Sequence, residues 1–320
     1  MHKLIYRLFV RSGVDQLVWK LDSRRLRILC YHGVCADRLA EEPWVPRYFV
    51  TQTAFERQLQ YLQRNAQVLP LRQAVEHLRD GTLPPRSVSI TFDDGYANNL
   101  RLAYPLLRKY GLPATIFLSS SYIESGDLFP FLKLSLIRLT MDGTGADLGA
   151  LLNYKTNPLD QVEQSAAPWW ADVRRRLTHD QIQVLQPMTI ADVTGADSAL
   201  IDFGAHSHTH CIFRNETQQR SQTEIQKSVE KITQWTGRRI KLFSYPNGER
   251  GDFGPFDKEA LRAAGVEAAV TGIGGANSSR SELLELRRYP VSLYHTDESF
   301  CAEVTGFRST FLTVAGRLAS

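Results

Sequence analysis

Residues 89–100 read SITFDDGYANNL, and the rest of the chain can be arranged around this stretch. Residues 87–92 alternate β-branched and aromatic side chains, which predicts a buried strand. Asp93, Asp94 and Gly95 follow where that strand ends. Carboxylates beside a glycine turn at a strand end commonly lie at the mouth of an α/β sheet or barrel. Because successive strand residues point to opposite faces, one carboxylate could hold a metal ion while the other takes a proton.

A second polar cluster decides between a catalytic site and a simple polar turn after this strand. Residues 203–210 read FGAHSHTH and place three histidines within five residues. His206 and His210 are spaced i, i+4, so both imidazoles can reach one ion if the backbone turns there. With a carboxylate from Asp94 they would form a two-histidine, one-carboxylate set that leaves positions for water. The pattern predicts a divalent metal, with zinc expected first and cobalt, nickel, manganese and iron as alternatives.

The order of predicted elements indicates a parallel α/β architecture. Strands are predicted at 27–34, 87–92, 114–118, 201–204, 240–244, 268–271 and 286–293. Helices with apolar residues at helical spacing are predicted between them, at 52–65, 71–80, 97–110, 217–236 and 258–264. Strands that alternate with helices favour a parallel sheet. About seven such strands predict a distorted (β/α) barrel.

The chain divides into a main domain, one insertion and two terminal segments. These are a basic amphipathic N-terminal helix at 1–24, a catalytic domain at 25–298 with an insertion at 127–200, and a C-terminal helical tail at 299–320. The insertion does not follow the strand–helix rhythm, so we expect it to lie over the site. Its Trp169 and Trp170 could stack on sugar rings, although tryptophans that anchor helices in a core are as common.

Composition narrows the classes of partner. The net charge of +4 is too small and too dispersed to indicate nucleic-acid binding. The four cysteines, at 30, 35, 211 and 301, form no CxxC pair, and we expect them to be buried thiols. No apolar run is long enough for a spanning helix, and no secretory signal is recognisable, which favours the cytoplasm. The helix at 1–21 could pack on the domain or attach to an anionic inner leaflet.

Three motifs resemble those of one family. TFDDGYANN, HSHTH and SYPNG, in this order and at this separation, are similar to the motifs of the polysaccharide deacetylases, carbohydrate esterase family four. The resemblance covers about 27–293. It implies a distorted (β/α) barrel with a divalent metal that removes acetyl groups from N-acetylated, or sometimes O-acetylated, sugar polymers.

The resemblance assigns roles to particular residues. It implies that Asp93 is the general base and that Asp94, His206 and His210 are metal ligands. His208, between the two histidine ligands, is expected to support the loop. A backbone N–H in the turn at 245–248 is expected to stabilise the oxyanion, and Asn247 is the candidate.

The sequence departs from the family pattern in two places. Ser244 stands where the family usually has an arginine that orients the base, and Arg288 on a late strand could fill that role. The alternative is that Arg287 and Arg288 are both surface charges. The fourth family motif has no match. The general acid is open between His32, which resembles a first-strand histidine of exopolysaccharide deacetylases, and His295, which fits a loose L-x-H pattern.

The expected function is metal-dependent removal of acetyl groups, N-acetyl before O-acetyl, from a poly- or oligosaccharide that contains N-acetylhexosamine. An exopolysaccharide precursor is one candidate substrate. Two alternatives stay open: another metal-dependent hydrolase of non-peptide C–N bonds, and a non-catalytic, metal-containing sugar-binding protein. The sequence leaves the oligomeric state undecided.

Overall fold

The computed structural model of the chain describes residues 2–21, 23–141 and 153–307. Within these ranges the strands are β1 (Arg27–Tyr31), β2 (Val34–Cys35), β3 (Val50–Thr51), β4 (Gln67–Val68), β5 (Ser87–Phe92), β6 (Ala114–Leu118), β7 (Ile201–Ala205), β8 (Leu242–Ser244), β9 (Ala268–Gly274) and β10 (Leu286–Pro290).

The helices of the described residues lie mostly between these strands. They are α1 (His2–Ser12), α2 (Val14–Leu21), α3 (Gln52–Asn65), α4 (Leu71–Asp80), α5 (Tyr104–Tyr110), α6 (Ser120–Ser125), α7 (Pro130–Met141), α8 (Leu159–Arg175), α9 (His179–Leu185), α10 (Ile190–Thr194), α11 (Gln218–Thr236), α12 (Pro255–Ala263) and α13 (Asp297–Val304).

Seven parallel strands close into a barrel. β5 to β10 pair in chain order, and β1 closes the ring by pairing with both β5 and β10. The short β4 adds to the start of β5, and β2 and β3 form a separate parallel pair. The expectation of a distorted (β/α) barrel with about seven strands is confirmed. All strands run in one direction, so their carboxyl ends meet at one rim.

The alternation of β5 explains how Asp93 enters the barrel. Ile90 and Phe92 belong to the apolar cluster under α3, and the ring of Phe92 lies 5.7 Å from that of Phe55. Thr91 points to the other side, where its hydroxyl donates to the carbonyl of Leu29. Asp93 continues the face of Thr91, because side chains alternate along a strand.

The predicted helix at 97–110 begins later than expected. α5 starts at Tyr104, and a π-helical turn at Asn99–Ala103 leads into it. Asn98 accepts from the backbone N–H of Val34 and donates to a carbonyl of the insertion, while Asn99 donates to the carbonyl of His32. These side-chain hydrogen bonds compete with the backbone hydrogen bonds of a regular α-helix, so the segment follows its contacts with neighbouring loops.

The N-terminal segment folds as two helices where one was predicted. Gly13 adopts a φ of +76° between α1 and α2 and ends the first helix. The apolar side of the pair packs on α13, with the rings of Phe9 and Phe307 4.3 Å apart. Part of the predicted C-terminal tail is α13 itself, and 308–320 lie outside the described residues.

The insertion is helical and packs on the rim side of the barrel. Apolar residues of α7, α8 and α9 share one cluster with the loop at 35–49, and this cluster contains Phe49 and Tyr96. Trp170 is buried in that cluster and Trp169 is 41% exposed. Trp170 therefore anchors its helix. Among the described residues, no helix combines the length and the apolar character needed to span a bilayer.

Candidate active site

A buried ion pair joins the end of β5 to β10. Arg288 donates from Nη1 to Oδ1 of Asp93 at 2.7 Å and from Nη2 to Oδ2 at 2.6 Å. Both side chains are almost completely buried. Its neighbour Arg287 is exposed, so the two arginines lie on opposite sides of the strand. The departure of this chain from the family pattern is thus compensated: a different strand supplies the guanidinium.

Ser244 completes the surroundings of this ion pair. Its hydroxyl lies 3.2 Å from Oδ2 of Asp93 and 3.1 Å from Nη2 of Arg288. Burial alone would raise the pKa of Asp93, but Arg288 and His206 outweigh it and lower the pKa to about 2. The carboxylate is therefore ionised and fixed in orientation.

Asp94, His206 and His210 converge as the sequence predicted. The Nε2 atoms of the two histidines lie 3.4 and 3.1 Å from Oδ1 of Asp94, and all three side chains are buried. Within the described residues, neither oxygen of Asp94 completes a hydrogen bond. Two buried carboxylate oxygens without donors are costly unless a cation satisfies them, so the donor set fits a divalent metal.

The second nitrogen of each histidine has its own partner. Nδ1 of His206 lies 2.7 Å from the carbonyl of Ser244, and Nδ1 of His210 contacts the hydroxyl of Tyr154. A proton on Nδ1 leaves the lone pair on Nε2, which faces Asp94. Outer bonds of this kind orient histidine ligands in metal sites.

Burial and neighbouring charges have opposite effects on the pKa values of the carboxylate and of the histidines. Burial would raise the pKa of Asp94, but the imidazoles of His206 and His210 outweigh it and hold the pKa well below its usual range. Burial lowers the pKa of His210 and of His32, whereas for His206 the carboxylates of Asp93 and Asp94 outweigh burial and raise the pKa. An ionised carboxylate beside a neutral imidazole is the protonation state that a metal ligand set requires.

The backbone is strained at the same residues. In the described part of the chain, five residues other than glycine have positive φ, and four of them belong to the three motifs: Asp94 (+73°), Ser207, His210 and Asn247 (each +58°). Such conformations cost about 1–3 kcal/mol each and persist only where the surroundings over-determine them. Asp, His and Asn adopt positive φ more readily than other non-glycine residues, but residue type alone does not identify which of them do so in this chain.

The segment after β6 holds the histidine loop. Ser119 donates from its hydroxyl to the carbonyl of His206, and the backbone N–H of Ser121 donates to the carbonyl of His208. The side chain of His208 contacts the hydroxyl of Ser120 at 2.8 Å. This contact supports the expected role of His208 in holding the loop, which stays a prediction.

The two candidate acids occupy different places. The potential ligand atoms of Cys30, His32 and Asp93 all lie within 4.8 Å of one another, and the ring of His32 lies 4.7 Å from that of Tyr48 in a tilted arrangement. His295 contacts Ser292 through Nδ1 and lines a surface pocket of about 350 Å³. The structure therefore brings His32 against Asp93, whereas His295 lies against Ser292 beside the surface pocket.

Asn247 lies in the tight turn after β8. Its side-chain amide donates to Oδ2 of Asp252, and that carboxylate also accepts from the backbone N–H of Glu249. The side chain thus braces the turn. The role proposed for the backbone N–H of Asn247 stays a prediction.

Sequence reasoning missed three aromatic residues beside the candidate ligands, Tyr48, Phe131 and Tyr154, which we call the aromatic wall. Phe131 of α7 lies 4.8 Å from the ring of His210, and Tyr48 lies 6.3 Å from Phe131. Tyr154 contacts His210 from the insertion. Of the two roles that the sequence leaves open for Trp169 and Trp170, helix anchoring is the one that Trp170 takes. The missed residues stand in segments without a motif, and only tertiary packing brings them to the rim.

The fold and this set of side chains define a barrel with a carboxylate–guanidinium pair and a metal-type ligand cluster at its rim. Residues 80–168 and 186–269, more than half of the chain, match the family model described as polysaccharide deacetylase. The chain belongs to the polysaccharide deacetylase family, a family of carbohydrate esterases.

Individual relatives show the extent of the similarity. YxkH of Bacillus subtilis, provisionally named a polysaccharide deacetylase, is 24% identical over 289 residues, 89% of this chain and 77% of YxkH. The poly-beta-1,6-N-acetyl-D-glucosamine N-deacetylase of Staphylococcus epidermidis is 38% identical over 82 residues, 25% of this chain and 28% of that protein. A solved de-N-acetylase from Aggregatibacter actinomycetemcomitans has the same fold, with a TM-score of 0.61 at 17% identity over 86% of this chain and 98% of that chain.

The buried ion pair generates a stability prediction. Arg288→Met leaves Asp93 as a buried charge without its partner, so we expect the free energy of unfolding to fall by about 3–5 kcal/mol. The matched control is Arg287→Met on the exposed side of β10, for which we expect a change within about 0.5 kcal/mol. Urea unfolding followed by circular dichroism measures both. Equal stability of the two variants would contradict the buried pair.

Proposed function

We propose that this protein is a metal-dependent hydrolase that removes N-acetyl groups from N-acetylhexosamine units of a poly- or oligosaccharide. The observation that carries the proposal is the bidentate Asp93–Arg288 pair, which lies beside the converging Asp94, His206 and His210. Metal-dependent amide hydrolysis requires a fixed carboxylate that can accept a proton and, next to it, a set of metal ligands that leaves positions open for water and substrate.

Asp94, His206 and His210 would hold the metal. A bound divalent ion would supply Lewis acidity toward the acetamide carbonyl and the attacking water. Zinc is the first candidate, because two imidazoles and one carboxylate with open positions suit it. Cobalt, nickel, manganese and iron accept the same donor types.

The chain's own residues would handle the protons. Asp93 accepts the proton of the attacking water, and Arg288 holds both of its oxygens in orientation. The pKa of about 2 makes Asp93 a weak base, so positioning is what it contributes most. The backbone N–H of Asn247 is the proposed donor to the developing oxyanion. Burial keeps His32 neutral at rest, so it takes up the proton gained by Asp93 and passes it to the leaving sugar amine.

The family and the aromatic wall support a sugar substrate. The staphylococcal relative is named for a polymer of β-1,6-linked N-acetylglucosamine, although the alignment spans only 28% of its length. Tyr48, Phe131 and Tyr154 lie around the candidate ligands. Aromatic rings beside a polar site suit the apolar faces of a hexose. We therefore take an N-acetylglucosamine polymer, such as an exopolysaccharide precursor, as the first substrate to test.

The ion pair also bears on the two alternative functions, a non-catalytic sugar-binding protein and another hydrolase of non-peptide C–N bonds. A non-catalytic sugar-binding protein has no need of a buried carboxylate held by a guanidinium, so Asp93–Arg288 favours an enzyme. Another C–N hydrolase would use the same groups on a smaller amide. Acetate release from N-acetylglucosamine oligomers, measured in the next experiment, separates that alternative from a polysaccharide deacetylase.

The first test measures acetate release from N-acetylglucosamine oligomers by zinc-reconstituted protein. We expect Asp93→Asn to lower kcat by about 10²–10⁴-fold with metal still bound, because the proton acceptor is lost. The same change leaves the buried Arg288 without its ionic partner, so circular dichroism must first show that the variant is folded. We expect His206→Ala to lose both metal and activity. Asp160→Asn and His179→Ala change the same residue types at exposed positions and serve as controls.

Each outcome of that test has a meaning. No acetate release with one tightly bound metal would move the assignment to another amide substrate or to a binding role. If Asp93→Asn retained full activity, Asp93 would not be the base. Absence of metal binding by the wild-type protein would contradict the proposal as a whole.

A second test separates the two candidate acids. We expect His32→Gln to lower kcat on N-acetylglucosamine oligomers by about 10²-fold or more, and His295→Gln to change it little. Hydrolysis of p-nitrophenyl acetate should survive in His32→Gln, because its leaving group needs no proton. The reverse ranking of the two variants on oligomers would assign the acid to His295.

We further propose that α1 and α2 attach the protein to an anionic lipid surface, such as the inner face of a cytoplasmic membrane. Leu8, Leu17 and Leu21 are 60%, 56% and 82% exposed, although the other side of the pair packs on α13. Arg11 and Lys20 are exposed on the same two helices. Exposed leucines among basic side chains match the chemistry of an anionic bilayer surface.

Vesicle binding tests this attachment. We expect Leu17→Gln/Leu21→Gln to weaken binding to phosphatidylglycerol vesicles by about 10²-fold, since two leucines contribute roughly 3 kcal/mol when buried. Leu139→Gln/Ile182→Gln changes two exposed apolar residues elsewhere and should bind as the wild type does. Equal binding by both double variants, or equal binding to phosphatidylcholine, would exclude α1 and α2 as an anionic-lipid anchor.

A further inference from the structure

Tyr154 is the residue of the insertion that reaches the candidate metal ligands. Its hydroxyl contacts two atoms of His210, the ring nitrogen Nδ1 and the backbone carbonyl oxygen. The hydroxyl can accept a hydrogen bond from Nδ1–H and donate one to the carbonyl oxygen. Both directions are then satisfied at once, and His210 is held by its ring and by its backbone.

The segment that carries Tyr154 follows the histidine loop along its length. Arg214 donates to the carbonyl of Lys155, and Asn215 donates to the carbonyl of Asn157. Further along, the backbone N–H of Leu159 donates to the side chain of Glu216. The contact at Tyr154 is thus the first in a series that joins 154–159 to 210–216. The position of Tyr154 beside His210 therefore does not depend on the rotamer of Tyr154 alone.

His210 needs such support more than His206 does. His210 has a φ of +58°, a conformation that a non-glycine residue holds only when its surroundings impose it. The ring of His206 is fixed by a carbonyl of the barrel itself, that of Ser244 at the end of β8. The partner of His210 instead comes from outside the barrel.

We propose that Tyr154 is a positioning residue that sets the tautomer and the orientation of His210 as a metal ligand, and that the insertion is thereby part of the metal site. The inference rests on the metal site of the proposed function. Metal binding and the stability of the segment 153–157 are then coupled. The insertion strengthens metal binding, and bound metal stabilises the segment 153–157.

The test compares two tyrosine variants in metal binding. Tyr154→Phe keeps the ring and removes only the hydroxyl, so we expect the dissociation constant for zinc to rise by about 10–100-fold. We also expect the visible absorption spectrum of the cobalt-substituted protein to change, because it reports the geometry of the ligands. Tyr104→Phe removes a hydroxyl that donates to Asp197 and not to a candidate ligand, and should leave both measurements as in the wild type.

The outcomes separate this inference from the proposed function. Unchanged zinc affinity and an unchanged cobalt spectrum in Tyr154→Phe would overturn the role of Tyr154, whatever the activity on sugars. Weaker zinc binding would support it even if the sugar substrate proved wrong. A wild-type chain that binds no metal would overturn both.

A measurement on the wild-type chain tests the same point without a variant. Hydrogen exchange of a peptide covering 153–157 should slow when zinc is added, because the ligand His210 is bonded to Tyr154. A peptide from α12, whose residues are not part of the ligand set, provides the reference. Exchange at 153–157 that does not respond to zinc would contradict the proposed coupling.

Discussion

The ion pair between Asp93 and Arg288 is the interaction on which the site depends. Each charge would cost several kcal/mol to bury alone, so neither residue is tolerable in the barrel without the other. The remaining donors of the guanidinium are also used: Nε donates to the carbonyl of Thr271, and the two Nη groups contact the hydroxyls of Thr91 and Ser244. A buried charge pair with its other hydrogen bonds satisfied tolerates few alternative geometries.

The barrel explains how the arginine can come from an unexpected strand. Side chains that point into a closed parallel barrel meet near its axis, whichever strand carries them. Ser244 at the end of β8 and Arg288 on β10 therefore both reach Asp93 at the end of β5. A charge lost from one strand can be replaced from another without a change of fold, provided that the new side chain is long enough.

The strained backbone at the rim is supported by contacts with neighbouring segments. The backbone N–H of Ser119 donates to the carbonyl of Asp94, and that of Met188 in the insertion donates to the carbonyl of Gly95. Tyr122 donates to the carbonyl of Thr209. The loops that carry the candidate ligands are thus held by hydrogen bonds to neighbouring segments and to the insertion. Such support is what allows positive φ at non-glycine residues to persist.

The sequence by itself determined the barrel and the chemistry of its rim. The alternation of residues 87–92, the strand–helix rhythm and the DDG and HSHTH motifs are local patterns, and local patterns are what a sequence displays. They led to the strand ends and to Asp93, Asp94, His206 and His210, while the family resemblance raised Arg288 as one of two alternatives for the missing arginine. Tertiary structure alone decided that His32 rather than His295 lies against Asp93 and that Phe131 and Tyr154 line the site. It also decided that the strain falls on Asp94, Ser207, His210 and Asn247. The physical reason is that these features arise from contacts between segments far apart in the chain, and periodicity within one segment carries no record of them.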